Sequence, residues 1–206
     1  DSIKFSYCVP IFKKYLLYDK NKEKKLNDSF DKNYLKINGS HQRPFNLRKI
    51  EEYNRPKIIL RQSDIKLTAT YTENLLFGNY SLFNIYSKDN NIDLLKFILC
   101  LLNSNLLTYY AKERNILLIK PGKTPQIRSG QRGPIGVQQL PIKNILVDKQ
   151  KLFIEIVDKI LTITKTGDYL KNPTKQVKVK EYEKRIDQMV YKLYNLTPEE
   201  IKIAEE

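Results

Sequence analysis

Apolar residues follow two clear rhythms along the 206-residue chain, and each predicts a different kind of element. Behind Pro56, Lys57-Ile58-Ile59-Leu60-Arg61 is a β-branched run, and Lys66-Leu67-Thr68-Ala69-Thr70-Tyr71 alternates with period two; both patterns predict strands. Tyr80 to Tyr86 reads as a third strand, and residues near 33–37, 116–120 and 136–140 as further ones. From Asp93 to Lys112 the apolar positions nearly encircle a helix, which predicts a buried central helix rather than a surface one. Residues 148–165 and 180–196 carry one-sided stripes, Leu152, Ile156 and Ile160 on the first and Tyr182, Ile186, Met189, Val190 and Leu193 on the second. Thr197-Pro198-Glu199-Glu200 sets a capping Thr, a first-turn Pro and a Glu three residues on, the start of a short last helix. The pattern therefore predicts an α+β fold: a mixed, twisted β-sheet with at least one wet face, packed on a buried central helix, with a C-terminal helical arm. Residues 1–147 form the sheet-bearing domain and residues 148–206 the arm of the same module.

One segment fits neither rhythm. Pro121 to Gly136 holds four of the chain's seven glycines and three of its nine prolines, with Lys123, Gln126, Arg128, Gln131 and Arg132 in its middle. A long loop inside a compact domain is usually functional.

Charge changes the picture next. Lys plus Arg number 37 against 23 Asp plus Glu, a formal excess of +14, which points to an anionic partner. The richness in Lys, Asn and Ile together is also what a biased genome composition produces, so charge alone leaves both explanations open. The two cysteines imply no disulfide framework, and Cys100, inside Phe97 to Leu102, is expected to be a small buried hydrophobe. With His41 as the one histidine and no Cys-x-x-Cys pair, no metal site is expected. The apolar run is too short to span a bilayer and no signal-peptide pattern opens the chain, so a cytoplasmic location and no membrane partner are expected. A first residue other than Met suits a piece of a longer protein, and equally a processed N-terminus.

Catalytic chemistry finds little purchase. There is no Gly-x-Gly-x-x-Gly turn and no phosphate-cradling loop ending in Gly-Lys-Ser/Thr. Glu51-Glu52 and Glu199-Glu200 are chain neighbours that do not converge on one substrate, and a lone His41 in a polar loop is most simply solvated. The chain reads as non-catalytic, with no bound cofactor.

Four stretches occur in an order that carries a resemblance: Pro56 to Gln62; Leu101-Leu102-Asn103-Ser104 followed by Leu107-Thr108-Tyr109-Tyr110; Leu140-Pro141-Ile142; and the ending Ile186 to Ile201. Over roughly residues 13 to 206 the chain resembles the TaqI-like C-terminal specificity domain. That family occurs in adenine-specific DNA methyltransferases and in single-chain type II restriction enzymes that fuse nuclease, methyltransferase and recognition parts. The resemblance implies a target-recognition domain of a restriction–modification system. Its partners would be double-stranded DNA and the methyltransferase domain of the same polypeptide, which would carry the S-adenosylmethionine and possess or lack a fused endonuclease. The family's Asn/Asp-Pro-Pro-Tyr/Phe motif is absent here, since Asn172-Pro173 is followed by Thr174. The alternatives from other classes are a protein–protein adaptor and an RNA-binding accessory domain.

For duplex DNA, base edges need planar forks and amides, while phosphates need cations. Gln126, Arg128, Gln131 and Arg132 are the base-reading candidates, joined by Thr68, Thr70 and Thr72 on one side of their strand, although strand propensity alone accounts for threonines covering a solvated sheet face. Lys13, Lys14, Arg43, Arg48, Lys57, Arg61, Lys66, Lys120, Lys123 and Lys143 are the phosphate candidates. A solvated surface accounts for many of these cations equally well.

Overall fold

The computed structural model describes residues 19–29, 49–74, 81–128 and 136–206. The chain divides into two units, and of the described residues the larger holds 56–74, 81–128 and 136–206 and the smaller 19–29 and 49–55. The smaller contains α1 (Lys20–Ser29) and α2 (Ile50–Tyr53). Asp19 starts α1, its Oδ1 accepting the backbone N–H groups of Asn21 and Lys22 at 2.9 and 3.0 Å. The strand expected near 33–37 lies outside the described residues.

The larger unit opens with β1 (Lys57–Arg61), β2 (Ala69–Thr72) and β3 (Leu82–Ile85), ordered β2-β1-β3. Both pairings are antiparallel, where a mixed sheet was expected. Strand alternation sends Ile58, Leu60, Ala69 and Tyr71 into the core, joined by Phe83 and Ile85, and α3 (Ile92–Leu102) packs on β1 and β2. On the other parity stand Lys57, Ile59, Arg61, Thr68, Thr70, Thr72 and Asn84, with Lys57 across from Thr72 and Ile59 between Thr70 and Asn84.

The helix expected over 93–112 is two helices. After α3 the chain bends by 65° into α4 (Asn105–Glu113). Asn103 and Ser104 make the break. Ser104 Oγ donates to Leu101 O at 2.7 Å, ending α3, and accepts Leu107 N–H at 3.3 Å, capping α4. Asn103 reaches β2 instead: Oδ1 accepts Ala69 N–H at 2.9 Å, and Nδ2 donates to Ala69 O at 3.0 Å and to Leu99 O at 3.2 Å. Arg61 N–H bonds to Thr68 O, which makes Leu60 and Ala69 a non-hydrogen-bonded pair and turns both polar groups of Ala69 away from β1. The Asn103 amide thus occupies the place of a further strand along the outer edge of β2. Thr108 extends that cover, its Oγ1 accepting Leu67 N–H at 3.3 Å.

The C-terminal helical part is α5 (Val147–Thr164), α6 (Pro173–Tyr194) and α7 (Pro198–Glu205). α5 packs on α3 and α6, and Phe153, Ile156, Val157, Ile160, Val179, Ile186 and Val190 join the same core as the sheet. Leu152, expected on the buried stripe, is 59% exposed, and Phe153 takes the inner position, meeting Phe97 edge-on with ring centroids 5.4 Å apart. α6 starts at Pro173, seven residues before the expected 180, because Asn172 caps it by accepting Lys175 N–H at 3.2 Å. The capping box of α7 is formed as the sequence predicts, Thr197 and Glu200 each bonding the other's backbone N–H. Cys100 is fully buried, and burial pushes its thiol pKa far up. No single helix among the described residues is long and apolar enough to cross a membrane.

Candidate nucleic-acid interface

The Gly- and Pro-rich segment begins as a hairpin. β4 (Leu117–Leu118) and β5 (Gln126–Ile127) pair antiparallel, Leu117 with Ile127 and Leu118 with Gln126. Their connection turns at Lys120-Pro121-Gly122-Lys123, where Lys123 N–H bonds to Lys120 O at 3.1 Å and Gly122 has φ +69°. Proline fixes the second position of such a turn, and the positive φ at the third favours glycine. Lys120 and Lys123 therefore flank a defined turn, both exposed.

A third chain segment borders the hairpin. Ser63 bridges to Gln126, with Asp64 N–H bonded to Pro125 O at 3.1 Å and Ile127 N–H to Gln62 O at 2.7 Å. The segment is braced by the Arg61–Asp64 ion pair at 3.1 Å, and Asp64 Oδ1 also accepts Ile65 N–H at 2.8 Å. Strand parity then sorts the ribbon into two faces. Leu117 and Ile127 are buried, while Gln126 and Arg128 are exposed on the opposite parity, together with Thr124. Arg128 is held by its backbone, its N–H donating to Ile116 O at 2.7 Å and its carbonyl accepting Gly136 N–H at 3.4 Å. Gly136 lies so close to Ile116 that a Cβ there would stand 2.7 Å from Cγ2. Past Gly136 the chain forms a 3₁₀ turn over Val137–Gln139 and not the expected strand, because Gly136 adopts φ −76° and ψ −35° and starts a helical turn.

The structure sorts the other candidates. Gln131, Arg132, Lys13, Lys14, Arg43 and Arg48 lie outside the described residues. Thr68, Thr70 and Thr72 do share one side of the sheet, but all are buried, at 2, 0 and 7% exposure, so they do not cover a solvated face. Lys57 is fully buried, and desolvation lowers its pKa. Arg61 is half-buried and engaged with Asp64. Lys143 is exposed yet occupied: Nζ donates to Leu193 O at 2.6 Å, ending α6, and lies 5.6 Å from the centre of the Tyr194 ring. Lys66 is exposed at the mouth of a cleft of about 190 Å³ shared with Asn105, Glu183 and Asp187. There Asp187 accepts Asn105 N–H at 2.9 Å, and burial raises its carboxyl pKa to about 6. Lys120, Lys123, Gln126 and Arg128 are the candidates that the hairpin brings together.

Sequence reasoning missed Ser63 and Thr124, which join Gln126 on this ribbon, because a two-residue strand carries no periodicity. The Lys-Pro-Gly-Lys turn was the available signal.

A family model, the TaqI-like C-terminal specificity domain, matches residues 11–131. No curated protein matches the chain. The matched segment contains all five described strands and both helices of the Asn103 break. It stops short of Leu140-Pro141-Ile142 and of the ending Ile186 to Ile201, so two of the four stretches that carried the resemblance stand outside it.

Proposed function

The chain belongs to the TaqI-like C-terminal specificity domain family, and from that premise we propose that its β4–β5 hairpin reads a short duplex sequence for an adenine-specific methyltransferase on the same polypeptide. The family points to DNA target recognition in restriction–modification enzymes, and the specificity domain is itself non-catalytic. Methyl transfer from S-adenosylmethionine, and cleavage where a nuclease is fused, belong in this reading to other parts of the protein. The absence of the base-flipping and cofactor motifs from the sequence supports that division.

The observation that carries the reading is the exposed face of the hairpin. A two-stranded ribbon fits the major groove, and Arg and Gln are the side chains suited to guanine and adenine edges there. Gln126 and Arg128 sit two residues apart on one exposed parity, anchored by backbone bonds to Ser63's segment and to Ile116. Lys120 and Lys123 lie at the turn, where point charges on flexible stems suit phosphates.

Binding of the chain to duplex DNA should fall about a thousandfold between low and moderate salt if about six phosphates are engaged. In the full-length enzyme, Arg128→Ala should cost about 1–3 kcal/mol at the cognate site and relax the preference at one base pair. Lys123→Ala should weaken all duplexes alike and lower the salt slope by about one. A salt response that is flat, or equal affinity for single strands, would overturn the reading in favour of an adaptor or an RNA-binding domain.

A further inference from the structure

Ile65 is a large apolar side chain left 68% exposed in the segment that borders the hairpin. It is not on a loose loop. Asp64 holds it from both sides, through the ion pair with Arg61 and through the bond from Asp64 N–H to Pro125 O. The Ser63–Gln126 bridge and the Asp64–Pro125 bond fix this segment against the hairpin, and Ile65 follows directly on them. A branched apolar side chain thus stands exposed beside the hairpin that carries Gln126 and Arg128.

Covering a large aliphatic side chain such as this is worth about 1.5–3 kcal/mol, so a partner that brings an apolar surface against Ile65 gains from it. A phosphate cannot supply one. In the major groove the apolar group on offer is the C5 methyl of thymine. We infer that Ile65 reads a thymine methyl in the same site that Gln126 and Arg128 address. This rests on the proposed duplex reading.

The test uses the full-length enzyme and its own cognate duplex, found by mapping the adenines it methylates. Each thymine in the site is replaced in turn by deoxyuridine, which pairs identically and lacks the methyl. One such replacement should weaken the wild-type enzyme about fourfold, the factor one buried methyl contributes. Ile65→Ala should bind the unmodified and the deoxyuridine duplex equally, with Ile65→Val in between, and all three proteins should melt together because the side chain is outside the core. If every replacement affects Ile65→Ala as it affects the wild type, the inference is wrong. If Ile65→Ala loses affinity for all duplexes and bends them less, Ile65 is a wedge between base steps and the inference is equally overturned. Failure of the wild type to bind duplex at all would instead sink the proposed function, and the methyl reading with it.

Discussion

Replacing Asn103 by Ala removes three hydrogen bonds at once and leaves the N–H and C=O of Ala69 without partners beside a residue that is 0% exposed. Each lost bond is worth about 1 kcal/mol net, and an orphaned buried group costs about 1–3 kcal/mol more. The cleft that Asn103 shares with Lys66 gives water a route to these atoms, which moderates the penalty. The expected loss is about 2–4 kcal/mol, read as a lower urea midpoint with unchanged slope and a melting point lower by roughly 4–16 °C for a chain of this size. Asn103→Asp sharpens the test. Its carboxylate still accepts Ala69 N–H but faces the carbonyls of Ala69 and Leu99, so its folded-state pKa rises above the unfolded value. Its stability deficit should therefore be largest at neutral pH and shrink as pH falls through that raised value, when the carboxyl gains a proton to donate. The idea that Asn103 completes the sheet edge fails if Asn103→Ala costs under about 0.5 kcal/mol, or if Asn103→Asp matches the wild type at pH 7.

Two further outcomes rest on single contacts. Gly136→Ala sets a methyl 2.7 Å from the stiff, buried Ile116 side chain, so it should cost about 1–3 kcal/mol in urea unfolding; a neutral result would mean that the Arg128–Gly136 junction yields without strain. Asp187 has a folded pKa of about 6 against an ordinary 3.8, so its neutral form is favoured on folding and its contribution, present in full below pH 4, is lost as pH rises through 6. Asp187→Asn keeps an oxygen for Asn105 N–H and should raise stability above pH 6 by about 1 kcal/mol after screening, with no gain at pH 4; a loss at pH 7.5 would show that Lys66 outweighs burial there.

What the sequence revealed and what it hid divide along physical lines. β1 was legible because a β-branched run behind Pro56 is a local signal, and the start of α7 because a capping box lies within four residues. The shared side of Thr68, Thr70 and Thr72 was equally legible, since parity belongs to the strand itself. Their burial was not, because alternation sorts side chains into faces without saying what covers each face. The break at Asn103-Ser104 escaped notice because neither residue is Pro or Gly and the apolar rhythm runs through it; the reason for the break lies 34 residues away, at Ala69. On the hairpin, Gln126 and Arg128 could be paired by spacing alone, but the bridge from Ser63, 63 residues earlier, arises only in the folded chain.

The bond between Arg128 and Gly136 ties the two ends of the intervening segment within 3.4 Å. Closing a loop whose ends are already fixed costs entropy that grows only with the logarithm of its length, so doubling the segment adds only about 0.6 kcal/mol. The core beneath Ile116 and Ile127 would register such an insertion hardly at all. An insertion between these two residues should therefore leave the melting temperature nearly unchanged, with the ribbon that frames it still in place.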